Sequence, residues 1–283
     1  MSDNSTQLKK TVTSNGVKLW DETRLAVDAA KSAGERVMSI YNSDFLSERK
    51  KDGSEITEAD RLSQEAIKSY LQKSGLPMLS EEQEDDMIRL NQERIWIVDP
   101  LDGTADFVDR TGEFSVMIAL VQESLPVAGV IYRPTTGALF VAQKGQGSYV
   151  NDGGSWKKLE VNKISDLAKI RAVMSRHHLT DKERKILDEL GVANFIQMGS
   201  AGLKAVAIAQ GEADLYLTMT DKIKQWDTAA AHCLVAEAGG RITDLLGRGL
   251  VYNTEDVYHR NGILISNGFI HSGVVETCRR LKL

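Results

Sequence analysis

The residues of this chain best equipped for chemistry are acids placed in short, spaced motifs. The sharpest is Asp99-Pro-Leu-Asp-Gly-Thr104, which directly follows the apolar run from Ile95 to Val98. Two carboxylates three residues apart, at the mouth of a predicted strand, can converge on one or two hard cations. Magnesium suits such a site, because it takes oxygen ligands and keeps positions for water and for a substrate phosphate. Gly103 lets a phosphate come close to the backbone, and the amides that follow can donate to it where a helix begins. Taken alone, Asp-x-x-Asp-Gly reads more readily as a polar turn, since Asp, Pro and Gly are all turn residues.

Three further acidic positions stand beside this one. Glu81 and Glu82 follow the apolar Met78-Leu79 and are expected to point inward, whereas Glu84 to Asp86 read as a solvated face. Trp226-Asp227 opens the most apolar helical segment of the chain, where an acid would also complement the helix N-terminus. Thr57-x-x-Asp60 has the spacing of a capping box, although Glu or Gln is the usual partner. Each of these positions therefore has a structural reading beside its chemical one.

The elements that must position these acids follow from periodicity. Ala26, Ala30, Ala33, Val37 and Ile40 recur at helical spacing between about Trp20 and Tyr41. A charged turn, KKDGSE, leads to a second helix capped by Thr57, with Leu62, Ala66 and Tyr70 on its apolar side. The runs 114–121, 127–132 and 139–142 are separated by turn signals and predict adjacent antiparallel strands. After about Lys163 strands and helices alternate: a strand over 170–174, a helix over 181–190, a helix from Ser200 ended by Gly211, and a strand over 213–217. A buried helix is expected over 227–238, stopped by Gly239-Gly240. The change near residue 163 predicts two halves, 1–163 and 164–283.

The segments SEITEAD, LSEE, WIVDPLDGT and QWDTAA, in this order and at this separation, resemble those of the inositol monophosphatase superfamily of lithium-sensitive, magnesium-dependent phosphatases. The resemblance runs from about Trp20 to the C-terminus. It implies an α+β fold layered α-β-α-β-α, with an antiparallel N-terminal sheet and a smaller α/β half. It also implies roles. Glu81, Asp99, Asp102, Asp227 and the Leu101 carbonyl would ligate two or three Mg2+ ions. Asp60 and Thr104 would position and activate the attacking water, and the Gly103 and Thr104 amides would hold the phosphate. No covalent phosphoenzyme is needed in such a scheme.

Gly-Glu-Phe114, Ser175-Arg-His177 and Gly199-Ser-Ala-Gly-Leu-Lys204 look like the 3′(2′),5′-bisphosphate nucleotidase branch of that superfamily. Thr220 stands where inositol monophosphatases carry an inositol-binding glutamate. Substrate contacts are accordingly expected from Ser200 and Lys204 together with Glu81, Leu101, Asp102, Gly103, Thr104 and Asp227. Lys222 and Lys224 are candidate cations for a second phosphate, and His177 is a candidate contact, whereas His178 reads as a loop residue. Asp106 and Asp109 depart from the branch, where basic or amide residues are common. The implied substrate is 3′-phosphoadenosine 5′-phosphate, with inositol phosphates or sugar bisphosphates as the alternative. A relative that binds metal or nucleotide without catalysis is the reading from a different class.

Composition sets outer limits. With 42% hydrophobic and 27% charged residues the chain is that of a globular protein. A net charge of −5 argues against binding a nucleic acid polymer or an anionic membrane. The two cysteines make no framework, and Cys233 reads as a core residue. The N-terminal residues lack the apolar core of a secretory signal, so a cytoplasmic location is expected, with a homodimer among the possible assemblies.

Overall fold

The computed structural model describes residues 10–12, 16–50, 55–192 and 195–281. A short hairpin, β1 (Lys10–Val12) and β2 (Lys18–Trp20), runs into α1 (Asp21–Tyr41). The antiparallel pair β3 (Ser47–Arg49) and β4 (Glu55–Thr57) then leads to α2 (Glu58–Leu71). Next come β5 (Met78–Ser80), β6 (Arg94–Asp102), α3 (Thr104–Val108), β7 (Ser115–Gln122), β8 (Leu125–Arg133), β9 (Ala138–Gln143), β10 (Gly147–Asn151) and β11 (Lys157–Lys158). β5 to β11 form a seven-stranded sheet in sequence order, antiparallel except where β5 pairs with β6.

A second sheet, of five strands, is laid out β13-β12-β14-β16-β15. Its elements alternate with helices: β12 (Ala172–Ser175), α4 (Asp181–Glu189), β13 (Phe195–Met198), α5 (Ala201–Ala209), β14 (Leu215–Thr218), α6 (Ala229–Glu237), β15 (Arg241–Thr243), β16 (Ile263–Ser266) and α7 (His271–Arg280). The chain passes from one sheet to the other between Lys158 and Ala172.

Strand alternation sorts the core into layers. Trp96 and Val98 of β6, with Val116, Ile118 and Leu120 of β7, face Ala26, Ala30, Ala33, Ile67 and Leu71 of α1 and α2. Their neighbours Ile95, Ile97, Met117, Ala119 and Val121 face Ala205, Ile208, Ala230 and Leu234 of α5 and α6. The same α5–α6 layer covers Val173, Tyr216, Ile263 and Ile265 of the second sheet. The far face of that sheet, with Met174, Leu215, Leu217 and Leu264, packs on Ile186, Leu187, Val274 and Val275 of α4 and α7. The result is the expected α-β-α-β-α stack. Because both faces of the central strands are covered, they read as continuous apolar runs, without the polar alternation of a one-sided sheet.

Two local expectations are corrected. The metal motif does not follow a strand; β6 continues through Asp99, Pro100 and Leu101 to Asp102, with a register shift between Asp99 and Asp102. A proline inside a strand is accommodated at such an irregularity, where no ladder bond requires its missing N–H. The helix expected over 227–238 is divided: a 3-10 turn at Gln225–Asp227 precedes α6, and Thr228 separates them. Among the described residues no helix is long and apolar enough to cross a membrane.

Candidate active site

Three acids from three elements meet at the C-terminal end of β6. Asp99 lies in the strand itself, Glu81 follows the parallel neighbour β5, and Asp227 ends the turn before α6. One carboxylate oxygen from each lies within 4.8 Å of the others. Glu81 is placed by its amide, which donates to the Val98 carbonyl at 3.3 Å. Asp227 is placed by the Lys224 amide, which donates to Oδ2 at 2.7 Å. Asp99 Oδ1 accepts from the Leu101 amide at 3.0 Å.

Like charges this close are costly in a buried site. Burial first, then Glu81, Asp102 and Asp227, pushes the Asp99 carboxyl well above its usual range. Burial and Glu81 push Asp227 up to about 8. The donor set is entirely oxygen and its charge uncompensated among the acids themselves, so the residues present fit a hard divalent cation. The Lys50 ammonium already acts as a monovalent stand-in: it donates to Glu81 Oε1 at 3.0 Å and to Glu82. Burial alone would lower its pKa, but the Glu81 and Glu82 carboxylates outweigh that and raise it. The sequence offered Lys50 only as part of a charged turn, because nothing in its spacing links it to acids thirty residues away.

A consequence follows for pH. A carboxyl raised in the folded state keeps, at pH 7, a proton that the unfolded chain has lost. The metal-free protein should therefore lose stability as pH rises from the ordinary Asp value near 4 through about 8. Adding Mg2+ at pH 7 should expel roughly one proton per chain. Calorimetry in two buffers of different ionisation enthalpy measures this release; identical heats in both would mean that the acids are already ionised.

Asp102, expected among the metal ligands, stands outside the three-acid group. Its oxygens accept from the Ala201 and Gly202 amides at 2.9 and 2.8 Å, from Ser115 Oγ at 3.1 Å and from Ser200 Oγ. It thus sits on the N-terminus of α5, where an anion is favoured, and ties the first sheet to the second half of the chain. Ser200 is fully engaged here as well, since its Oγ also accepts from the Leu203 amide. A side chain at Gly202 would meet Ser115 Oγ at 2.9 Å and Asp102 Oδ2 at 3.1 Å, which explains glycine at that position.

Both carboxylate oxygens of Asp60 are engaged. Its Oδ2 closes the capping box, accepting from the Thr57 amide and hydroxyl at 2.7 Å each. Its Oδ1 lies 3.2 Å from Thr104 Oγ1, which in turn is 3.1 Å from the Leu101 carbonyl. Burial raises the Asp60 carboxyl despite the Thr57 bonds. Gly103, at φ 94°, lies in the left-handed region, and a Cβ there would meet the Glu113 carbonyl at 2.9 Å. Its amide and that of Thr104 open α3, whose first turn has donors without intrahelical acceptors.

The cations expected to meet a second phosphate are distributed differently. Lys204 is buried, and its ammonium donates to the Met198, Gly199 and Ser200 carbonyls at 3.4, 3.2 and 2.9 Å. Burial lowers its pKa to about 8. It holds the loop before α5 and does not face the open side. Lys222 is exposed, and Lys224 lies 5.1 Å over the Trp226 ring. His177 Nε2 lies 3.2 Å from Asp106 Oδ2, and Arg176 Nε donates to Asp106 Oδ1 at 3.1 Å. Asp106 is therefore a buried anchor for Ser175-Arg-His177, a pairing that depends on distance across the fold. Of the supposedly solvated acids, Asp85 instead accepts from Arg89 at 2.7 and 2.9 Å.

This geometry has relatives. The family model described as the inositol monophosphatase family matches residues 19–282. A 3′(2′),5′-bisphosphate nucleotidase CysQ of Aggregatibacter actinomycetemcomitans is 34% identical, over 82% of this chain and 87% of its own length. The crystal structure of CysQ from Bacteroides thetaiotaomicron, described as a bacterial member of the same family, superposes with a TM-score of 0.75. It is 35% identical and covers 86% of this chain and 96% of its own. A Thermotoga maritima inositol monophosphatase superposes with a TM-score of 0.79 at 25% identity, covering 93% of this chain and 98% of its own. With its layered fold, its acid cluster and a match across nearly its whole length, the chain belongs to the inositol monophosphatase family.

Proposed function

We propose that the chain is a magnesium-dependent 3′(2′),5′-bisphosphate nucleotidase that hydrolyses adenosine 3′,5′-bisphosphate to AMP and phosphate in the cytoplasm. The observation that carries this reading is the three-acid cluster beside the Asp60–Thr104 pair, in a chain about one-third identical to curated nucleotidases over most of its length. Glu81, Asp99 and Asp227, with the Leu101 carbonyl and Asp102 adjoining them, would hold the metal. Bound there, Mg2+ supplies charge neutralisation for the phosphoryl oxygens and a more acidic water. The rest falls to this chain's own groups. The Thr104 hydroxyl donates to Asp60 Oδ1 and so presents its lone pairs to the attacking water. The Gly103 and Thr104 amides receive the phosphate. Water oxygen bonds to phosphorus as its proton passes through the Thr104 hydroxyl to Asp60, and the ester P–O bond breaks. The ribose oxygen takes a proton from a solvent water, whose hydroxide is neutralised when Asp60 releases the proton it received.

The second phosphate separates this reading from an inositol phosphatase. Lys222 and Lys224 are the cations offered from the C-terminal half. A charge-assisted hydrogen bond contributes roughly 1.5–3 kcal/mol, or about ten- to hundredfold in preference. Adenosine 3′,5′-bisphosphate should therefore exceed adenosine 3′-monophosphate and inositol 1-phosphate in kcat/KM by at least about tenfold. Phosphate release from the three substrates, with and without magnesium, tests this. Equal values, or a preference for inositol 1-phosphate, would place the chain in the inositol branch.

A further inference from the structure

A cavity of about 580 Å3 lies away from the acid cluster, between the end of α1, the β3–β4 pair and the first turns of α2. Its volume is in the range of small-molecule sites, roughly 300–1,000 Å3. Ile40, Phe45, Leu46, Ile56 and Leu62 give it an apolar lining. Leu46 is 89% exposed among the described residues. Among the described residues the charged lining is mostly acidic: Asp44, Glu48, Glu58 and Glu65 beside Arg61, whose guanidinium is committed to Glu48 at 3.0 Å. An apolar body with one positive charge matches this lining. A neutral molecule leaves the acids unanswered, and an anion is repelled.

The cavity's walls also reach the Asp60–Thr104 pair from behind. Thr57 lines the cavity and holds Asp60 Oδ2 through two hydrogen bonds. Phe45 lines it too, and its ring packs 4.8 Å from Phe107 in α3, the helix that Thr104 opens. Two groups 3.2 Å apart in the catalytic centre are thus backed by two separate walls of one cavity. A ligand that shifts either wall alters that separation, and positioning errors of this kind weigh heavily on a chemical step.

We propose that this cavity is a second ligand site, for a small amphipathic organic ammonium ion, and that filling it changes turnover through the Asp60–Thr104 pair. The probe is 2-phenylethylammonium, with 2-phenylethanol and 3-phenylpropanoate as neutral and anionic controls. Titration calorimetry is done on full-length protein saturated with Mg2+, so that the acid cluster cannot take up the amine. The expected result is binding of the ammonium about two- to fivefold tighter than the alcohol, the scale of an ion pair with exposed carboxylates, and no binding of the carboxylate. Glu65→Lys should weaken the ammonium by a similar factor, and Leu62→Trp, which fills the space, should abolish binding. Glu65 is exposed, so its variant remains informative if the tryptophan variant fails to fold. Saturating probe should change kcat by about threefold or more while KM moves less, because the site is remote from substrate.

Absence of binding up to about 10 mM, weaker than any millimolar site, overturns the proposal. Equal affinity for the alcohol, or unchanged affinity in Glu65→Lys, overturns it as well. Binding with kcat unaltered refutes the coupling. The calorimetric arms require no substrate, so a mistaken substrate assignment would not disturb them.

Discussion

Chelation should stop phosphate release completely, and added magnesium should restore it. The reason lies in the crowding of Glu81, Asp99 and Asp227 within 4.8 Å, which among the described residues the Lys50 ammonium, and at Asp227 the charge of Lys224, answer in part. A phosphate monoester dianion approaching that cluster is repelled unless a divalent cation reverses the local charge. Replacing Asp99 by Asn removes the central donor while leaving side-chain volume nearly constant. The several kcal/mol of charge stabilisation that a catalytic metal supplies correspond to a loss of roughly a thousandfold in kcat/KM. Misfolding is separable from this effect, because Asp99→Asn takes away a carboxyl whose ionisation burial and the neighbouring acids already oppose. The metal-free variant should melt at or above the wild-type temperature, and its midpoint should no longer rise with Mg2+. Full turnover in chelator, or an Asp99→Asn variant as active as wild type, would falsify the metal assignment.

How much of this was legible in the sequence differs by element. The layered core could be read from β6 and β7, because their apolar runs are too continuous for a sheet with one wet face. The boundaries of β6 could not, since Asp-Pro-Leu-Asp has turn composition and only pairing with β7 keeps it extended. The acids were legible as a set of motifs in order. Their division of labour was not. That Lys204 is spent on the Met198, Gly199 and Ser200 carbonyls just before its own helix depends on the path of that loop. That Asp102 faces the amides of Ala201 and Gly202 depends on how α5 docks about one hundred residues downstream. Lys50 and Asp106 escaped for the same reason. Each is defined by partners distant in sequence, Glu81 for the first and Arg176 and His177 for the second, and no local spacing records such pairings.

Asp60 is the residue for which the two kinds of reading must be separated by experiment, because one carboxylate both caps α2 and meets Thr104 Oγ1. Replacement by Asn should lower kcat by about a hundredfold or more, the usual scale of general-base effects. The Asn carbonyl can still accept from the Thr57 amide, so the cap on α2 survives and stability should fall by less than the roughly 1 kcal/mol typical of losing a cap. The catalytic side changes sign. With its carbonyl held at Thr57, the amide nitrogen faces Thr104 Oγ1 and donates to it, where the Asp60 carboxylate accepts. Thr104 must then send its proton to the Leu101 carbonyl at 3.1 Å, and loses a lone pair otherwise available to the attacking water. KM should move far less than kcat, since the phosphate contact proposed at Thr104 is its backbone amide, which the variant leaves in place. Asp60→Ala provides the contrast, losing both the cap and the rate, with a melting temperature below that of Asp60→Asn. The discriminating measurement is kcat, KM and melting temperature on the same three preparations. Near wild-type turnover in Asp60→Asn would leave Asp60 as a capping residue alone and move activation of the water to another group at the end of β6.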